Sequence, residues 1–66
     1  MPFISVRITQ GASDAQKAQI IREFTETLQR VLYKDPQHTH IVIEEIAPQN
    51  WGHAGETVAA LEARGK

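Results

Sequence analysis

The chain has 66 residues, no cysteine, and seven Lys or Arg against eight Asp or Glu, for a formal net charge of −1. A single domain over 1–66 buries only about 60% of its unfolded surface, and the lack of cysteine excludes disulfides and thiolate zinc sites and fits a cytoplasmic protein. The scattered cations form no phosphate-neutralising patch and no apolar run reaches membrane-spanning length, so neither nucleic acid nor membrane is an expected partner.

The first nine residues read as a strand, with Ile4, Val6 and Ile8 alternating with Phe3, Ser5, Arg7 and Thr9. A proline follows the initiator methionine. If Met1 is trimmed, Pro2 becomes a secondary amine held at the start of a strand, with no freedom in its ring. An ordinary α-amino group titrates at about 7.7–8.0. Burial in an apolar pocket lowers that value, and a drop of about one unit leaves half of the sites ready to accept a proton near neutrality. The alternative is structural: proline is tolerated at the first position of an edge strand, where a missing N–H is harmless.

Gln10-Gly11-Ala12 ends the strand, and Gly11 supplies the positive φ that a sharp turn needs. Ser13-Asp14-Ala15-Gln16 reads as a capping box, with Asp14 at the positive end of the helix dipole. Ile21, Phe24, Leu28 and Val31 then recur at helical spacing, so one amphipathic helix is expected from Asp14 to Lys34. Glu26 and Arg30 are spaced for an i,i+4 pair. Asp35-Pro36 stops the helix.

Thr39 to Ile46 is β-branched and apolar on both faces in its middle, as in a strand covered on both sides. A strand, a long helix and a second strand make a right-handed βαβ crossover with parallel strands. One helix covers one face of such a sheet. The other, with Phe3 and either Val42 or Ile41, needs cover from another copy, so a homo-oligomer is expected. Ala47-Pro48-Gln49-Asn50 is a turn, Trp51 to Glu56 has the glycine spacing of a short hairpin or arm, and Thr57 to Lys66 is either an extension on a neighbouring subunit or a frayed helix. The fold class is α+β.

Together these features resemble the 4-oxalocrotonate tautomerase family. The resemblance rests on Pro2 opening a strand, Gly11-Ala12-Ser13-Asp14 before the helix with Gln16-Lys17 behind, the βαβ order, and Trp51-Gly52 with Gly55 after the second strand. It implies an isomerase that interconverts keto and enol forms of a small 2-oxo or 2-hydroxydienoic acid. Pro2 nitrogen would be general base and acid, no cofactor would be needed, and the assembly would be a hexamer built as a trimer of dimers.

The chain departs from the family where its members carry two substrate-binding arginines, since Ala12 and His40 stand there. Ala12 gives a carboxylate no bidentate donor. His40 can donate a hydrogen bond but is a weaker replacement for arginine.

The resemblance sets Trp51 as the pocket wall, while a core or interface tryptophan is its structural alternative. Arg7 is a third candidate for substrate binding, although strand alternation turns it away from Pro2 and an ion pair with Glu44 or Glu45 is its simpler role. His38 and His40 share a spacing that metal sites use, but lack a placed third ligand, so no metal is expected. Two other functions fit the same chain. One is hydration or dehalogenation of a small unsaturated acid, with a carboxylate such as Glu44 or Glu45 activating water. The other is a non-catalytic oligomeric binding protein.

Overall fold

The computed structural model describes residues 2–65; the trimming of Met1 and the last residue of the tail lie outside them. Two strands, β1 (Phe3–Thr9) and β2 (His40–Ile46), flank the helix α1 (Asp14–Leu32). They pair in parallel, with Phe3 opposite His40, Ser5 opposite Val42 and Arg7 opposite Glu44. The β-α-β crossover with parallel strands is therefore present.

The register sorts the side chains cleanly. Pro2, Ile4, Val6 and Ile8 of the first segment, with Ile41, Ile43 and Glu45 of β2, lie half-buried on the helix side. Phe3, Ser5, Arg7, His40, Val42 and Glu44 are exposed on the other. Of the two residues that might share the open face with Phe3, the register selects Val42.

In a parallel ladder alternate residues spend their backbone groups on the same neighbour. Pro2 carbonyl accepts the His40 N–H at 2.9 Å, and the Gln10 N–H donates to the Ile46 carbonyl at 3.2 Å. Even residues of β1 thus face β2. Phe3, Ser5, Arg7 and Thr9 hold their N–H and C=O groups at a free edge.

The start of α1 follows the expected capping box. Ser13 Oγ accepts the Gln16 N–H at 3.1 Å, and Gln16 Oε1 accepts the Ser13 N–H at 2.9 Å. Gly11 takes φ 135°, a value suited to glycine. The helix ends at Leu32, two residues before the expected Lys34. Tyr33 is left-handed, at φ 57°, and its N–H donates to the Gln29 and Leu28 carbonyls. Lys34 N–H also turns back to Leu28. This cap satisfies the last carbonyls before Asp35-Pro36 is reached. The observed i,i+4 side-chain contact is Gln19 to Glu23 rather than Glu26 to Arg30.

After Pro36–His38, a single 3₁₀ turn capped by Asp35, β2 begins at His40, one residue later than Thr39. Beyond β2 a second 3₁₀ turn, Pro48–Asn50, leads into a small hairpin of β3 (Gly52–His53) and β4 (Glu56–Thr57). Ala54 and Gly55 both have positive φ at its tip, which is the backbone of a tight hairpin turn. The tail then resolves in favour of a helix, α2 (Val58–Ala63), with Thr57 Oγ1 accepting the Ala60 N–H at 3.1 Å. Arg64 and Glu56 form a two-pronged ion pair that ties the helix back to the hairpin.

A single copy is a poor globule. No described residue is fully buried, and the surface is 5023 Å², against about 4200 Å² for a compact chain of this mass. The radius of gyration is 15.2 Å, against about 11 Å for a compact chain of this length. Phe3 is 65% exposed and Val42 42%. The apolar face lacks its cover within one chain.

Candidate active site

Pro2 sits at the mouth of the layer between sheet and helix. Its carbonyl is fixed by the His40 N–H, its ring is half-buried, and its face is the one shared with Ile4 and Ile41. Ile4, two residues on, lines an apolar depression with Phe24, Thr27 and Leu28. A basic amine on a half-buried ring is partly desolvated, which disfavours its charged form.

The other named residues are dispersed within one chain. His40 is adjacent to Pro2 through the backbone, yet its side chain stands on the open face with Phe3. Arg7 is also on that face and is engaged there: its Nε lies 3.7 Å from Glu44 Oε1, and both side chains are exposed. Of the two glutamates that might pair with Arg7, Glu44 is the partner.

Trp51 follows the far end of β2 and is half-buried, its carbonyl accepting the Val58 N–H at 2.7 Å. The seven residues of each strand span about 20 Å. Pro2 and Trp51 therefore belong to opposite ends of the sheet.

Two features of the far end were not singled out from sequence. Glu45, on the helix side of β2, accepts hydrogen bonds from Lys17 Nζ and from the Gly11 N–H at 3.3 Å. Lys17 also lies 3.8 Å from Asp14. The Lys17 hydrogen bond, then the Gly11 N–H, hold the Glu45 carboxyl below its ordinary range, and the same contact raises Lys17. The signal for this cluster was available: Ile41, Ile43 and Glu45 share a parity, and a carboxylate on a covered face needs a partner.

The second feature is a groove of about 340 Å³ beside Ala12, walled by Gln16, Gln19, Ile20, Glu23 and Phe24 of α1. Among the described residues no group of three or more histidines, aspartates or glutamates is arranged to hold a metal ion, and no helix is long and apolar enough to cross a membrane.

Residues 2–61 match the sequence model of a family described as tautomerase enzyme. The chain belongs to the tautomerase family. This tautomerase-family chain is 42% identical over 59 residues to a protein named probable tautomerase K2 from Dickeya dadantii (strain 3937), a match that covers 88% of each chain. Among solved structures, DmpI from Helicobacter pylori superimposes with a TM-score of 0.88 at 29% identity, covering 94% of this chain and 97% of its own. TomN, described as a 4-oxalocrotonate tautomerase homologue in the tomaymycin biosynthetic pathway, gives 0.93 at 25% identity, covering 98% and 100%.

The family match begins on Pro2 and runs through the hairpin into α2. Family membership supports an isomerase-type enzyme. The free edge of β1, the exposed open face and the dispersed site residues are properties of one copy.

Proposed function

We propose that the chain is a cofactor-independent keto–enol tautomerase of a small 2-oxo or 2-hydroxydienoic acid, working as a homo-oligomer with the Pro2 amine as general base and then general acid. The observation that carries this reading is the position of Pro2: it opens the family match, directly precedes β1 and is half-buried, and Ile4, two residues on, lines an apolar depression. In the reaction the nitrogen takes the proton of the substrate's 2-hydroxyl group. It then gives a proton to carbon at the end of the shifted double bond. Bonds and protons balance with no co-reactant.

Assembly follows from the unpaired edge and the uncovered face. Two copies that join their β1 edges in antiparallel fashion, about an axis normal to the sheet, keep both helices on one side. That operation sets the start of one β1 beside the end of the other, so Pro2 of one copy meets the Ala12 and Trp51 end of its mate. Trp51 then walls the pocket. The remaining apolar face, with Phe3, Val42 and His40, stacks against further pairs, as in a trimer of dimers. His40 from another pair would bind the substrate carboxylate, with Arg7 the weaker candidate.

The alternative hydration chemistry draws less support from the geometry. Glu44 and Glu45 are already engaged in ion pairs, with Arg7 and Lys17 respectively.

The test has two parts. Intact mass of the purified protein should be one methionine below the full sequence, and that material should convert an enolic arylpyruvate or a 2-hydroxydienoate to its keto form. Processed protein that is inert towards both substrates would overturn the reading.

A further inference from the structure

We propose that Glu45 is a positioning residue of the tautomerase site: its carboxylate clamps the turn between β1 and α1 onto β2, and in the oligomer the placement of that turn sets the shape of the site around Pro2 of the paired copy. Glu45 itself touches no substrate in this arrangement, which rests on the tautomerase reading above and on the same antiparallel pairing.

The clamp uses both carboxylate oxygens and joins three elements. Glu45 Oε2 accepts the Gly11 N–H at 3.3 Å, and Oε1 accepts from Lys17 Nζ in the first turn of α1. Between those two contacts the chain is tied to itself: the capping box closes Ser13 on Gln16, and the Lys17 N–H donates to the Ser13 carbonyl at 3.0 Å. Packing does not hold the turn, since a Cβ built on Gly11 would meet no atom within 4 Å. Hydrogen bonds do so instead, with the Gln10 N–H on the Ile46 carbonyl at 3.2 Å beside the contact to Glu45.

Stability alone does not call for a carboxylate at this place. The side chains of Glu45 and Lys17 are only 25% and 27% exposed, and an apolar pair of similar volume is often as stable as a largely buried ion pair, or more so. What an apolar pair cannot do is accept the Gly11 N–H. The charged groups that face Glu45 are Lys17 and, behind it, Asp14. From β1 it meets Ile8, while Arg7 and Glu44 stand on the other side of the sheet. Lys17 and the Gly11 N–H favour the anion, so the clamp is closed at neutral pH.

The experiment measures kcat against pH on the processed full chain, with the better of two probes, an enolic arylpyruvate and a 2-hydroxydienoate, alongside sedimentation and the thermal midpoint. Lys17→Met combined with Glu45→Leu should assemble and melt as the wild type does, yet its kcat should fall by about tenfold or more, because a small misplacement near the reacting atoms is that costly. The pH at half-maximal rate should not move, since the Pro2 amine is untouched. An assembled double variant with wild-type kcat overturns the positioning role and leaves the tautomerase reading standing, as does a loss that comes with a shifted pH profile, which would place the effect on the amine. Should the double variant fail to assemble, Glu45→Gln decides, because it keeps the shape of the side chain: a kcat lower by about threefold or more supports the role, and an unchanged kcat overturns it. Wild-type protein inert towards both probes overturns both readings.

Discussion

The two faces of this small sheet differ in what they ask of a partner. The helix side holds Pro2, Ile4, Val6, Ile8, Ile41 and Ile43 under α1, and its one charge, Glu45, is matched by Lys17 and Gly11. The open side holds Phe3 and Val42 uncovered, with Arg7 and Glu44 paired across the ladder and His40 at its start. The first face is half-buried by the chain's own helix; the second has no cover within one copy. The Pro2 amine of the proposed mechanism lies on the first face, and the proposed stacking of subunits rests on the second.

The sharpest way to break that division is to substitute Pro2. Pro2→Ala should lower kcat by about 10²–10⁴-fold, the usual contribution of a positioned acid or base. The oligomer, measured by sedimentation, should not change. A variant that keeps its full kcat would remove Pro2 from the mechanism.

The converse substitution is Val42→Asp. Val42 lies in the middle of the open face, and full burial of an apolar side chain of its kind is worth about 1.5–3 kcal/mol per subunit. A carboxylate there reverses the sign of that term in every copy. The assembly should fall to a smaller species in sedimentation, and activity should fall with it. Unchanged mass would mean that something other than subunit stacking covers this face.

Much of this arrangement is legible in the sequence because period-two alternation survives in both strands. Ile4, Val6 and Ile8 mark one face, and the apolar run Ile41-Val42-Ile43 marks a strand that has contacts on both sides. The capping box at Ser13 and the stop before Pro36 bracket the helix, and only its last two residues are misjudged, because the left-handed cap at Tyr33 is a backbone event with no side-chain signature. The tail is undecided for a different reason. Val58-Ala59-Ala60-Leu61 is too short for a period, and the helix is secured by Thr57 and by Arg64 on Glu56, contacts that depend on the hairpin being formed first.

The site is less legible than the fold, because its members lie on different elements and, in the proposed assembly, in different copies. A strand register is needed before His40 can be set on the face opposite Pro2. Neither the Ala12 groove nor the Lys17–Glu45 contact can be read locally, since each joins residues from α1 and the loop or strand beyond it.

Acid titration separates the faces in a gentler way. The Glu45 carboxyl is held down by Lys17 and Gly11, so its stabilising effect is complete above the unfolded carboxylate range of about 4.3 and is lost as pH falls through its lower folded value. Glu45→Gln should lower the thermal midpoint at neutral pH, and the loss relative to wild type should shrink as the buffer is taken below that range. A difference that stays constant with pH would mean that the side chain acts by packing and not by charge.

The smallest effect is expected at Arg7, and it bears most directly on which face meets the substrate. Arg7 and Glu44 are both exposed, 68% and 51% for their side chains, and their closest approach is 3.7 Å. A pair of that kind is worth about 0.2–1 kcal/mol. If Arg7 serves only the open face, Arg7→Ala costs that much in stability and leaves KM unchanged. If assembly brings Arg7 to the substrate carboxylate, the same variant raises KM by about tenfold or more, since a hydrogen bond to a charged group is worth about 1.5–3 kcal/mol. His40→Ala provides the comparison: the proposed carboxylate contact predicts a raised KM with kcat retained. Were Arg7 to show the larger change, the open face would hold its substrate group in the middle of the strand and not at its start, and the stacking of pairs would have to be shifted along β1 to match.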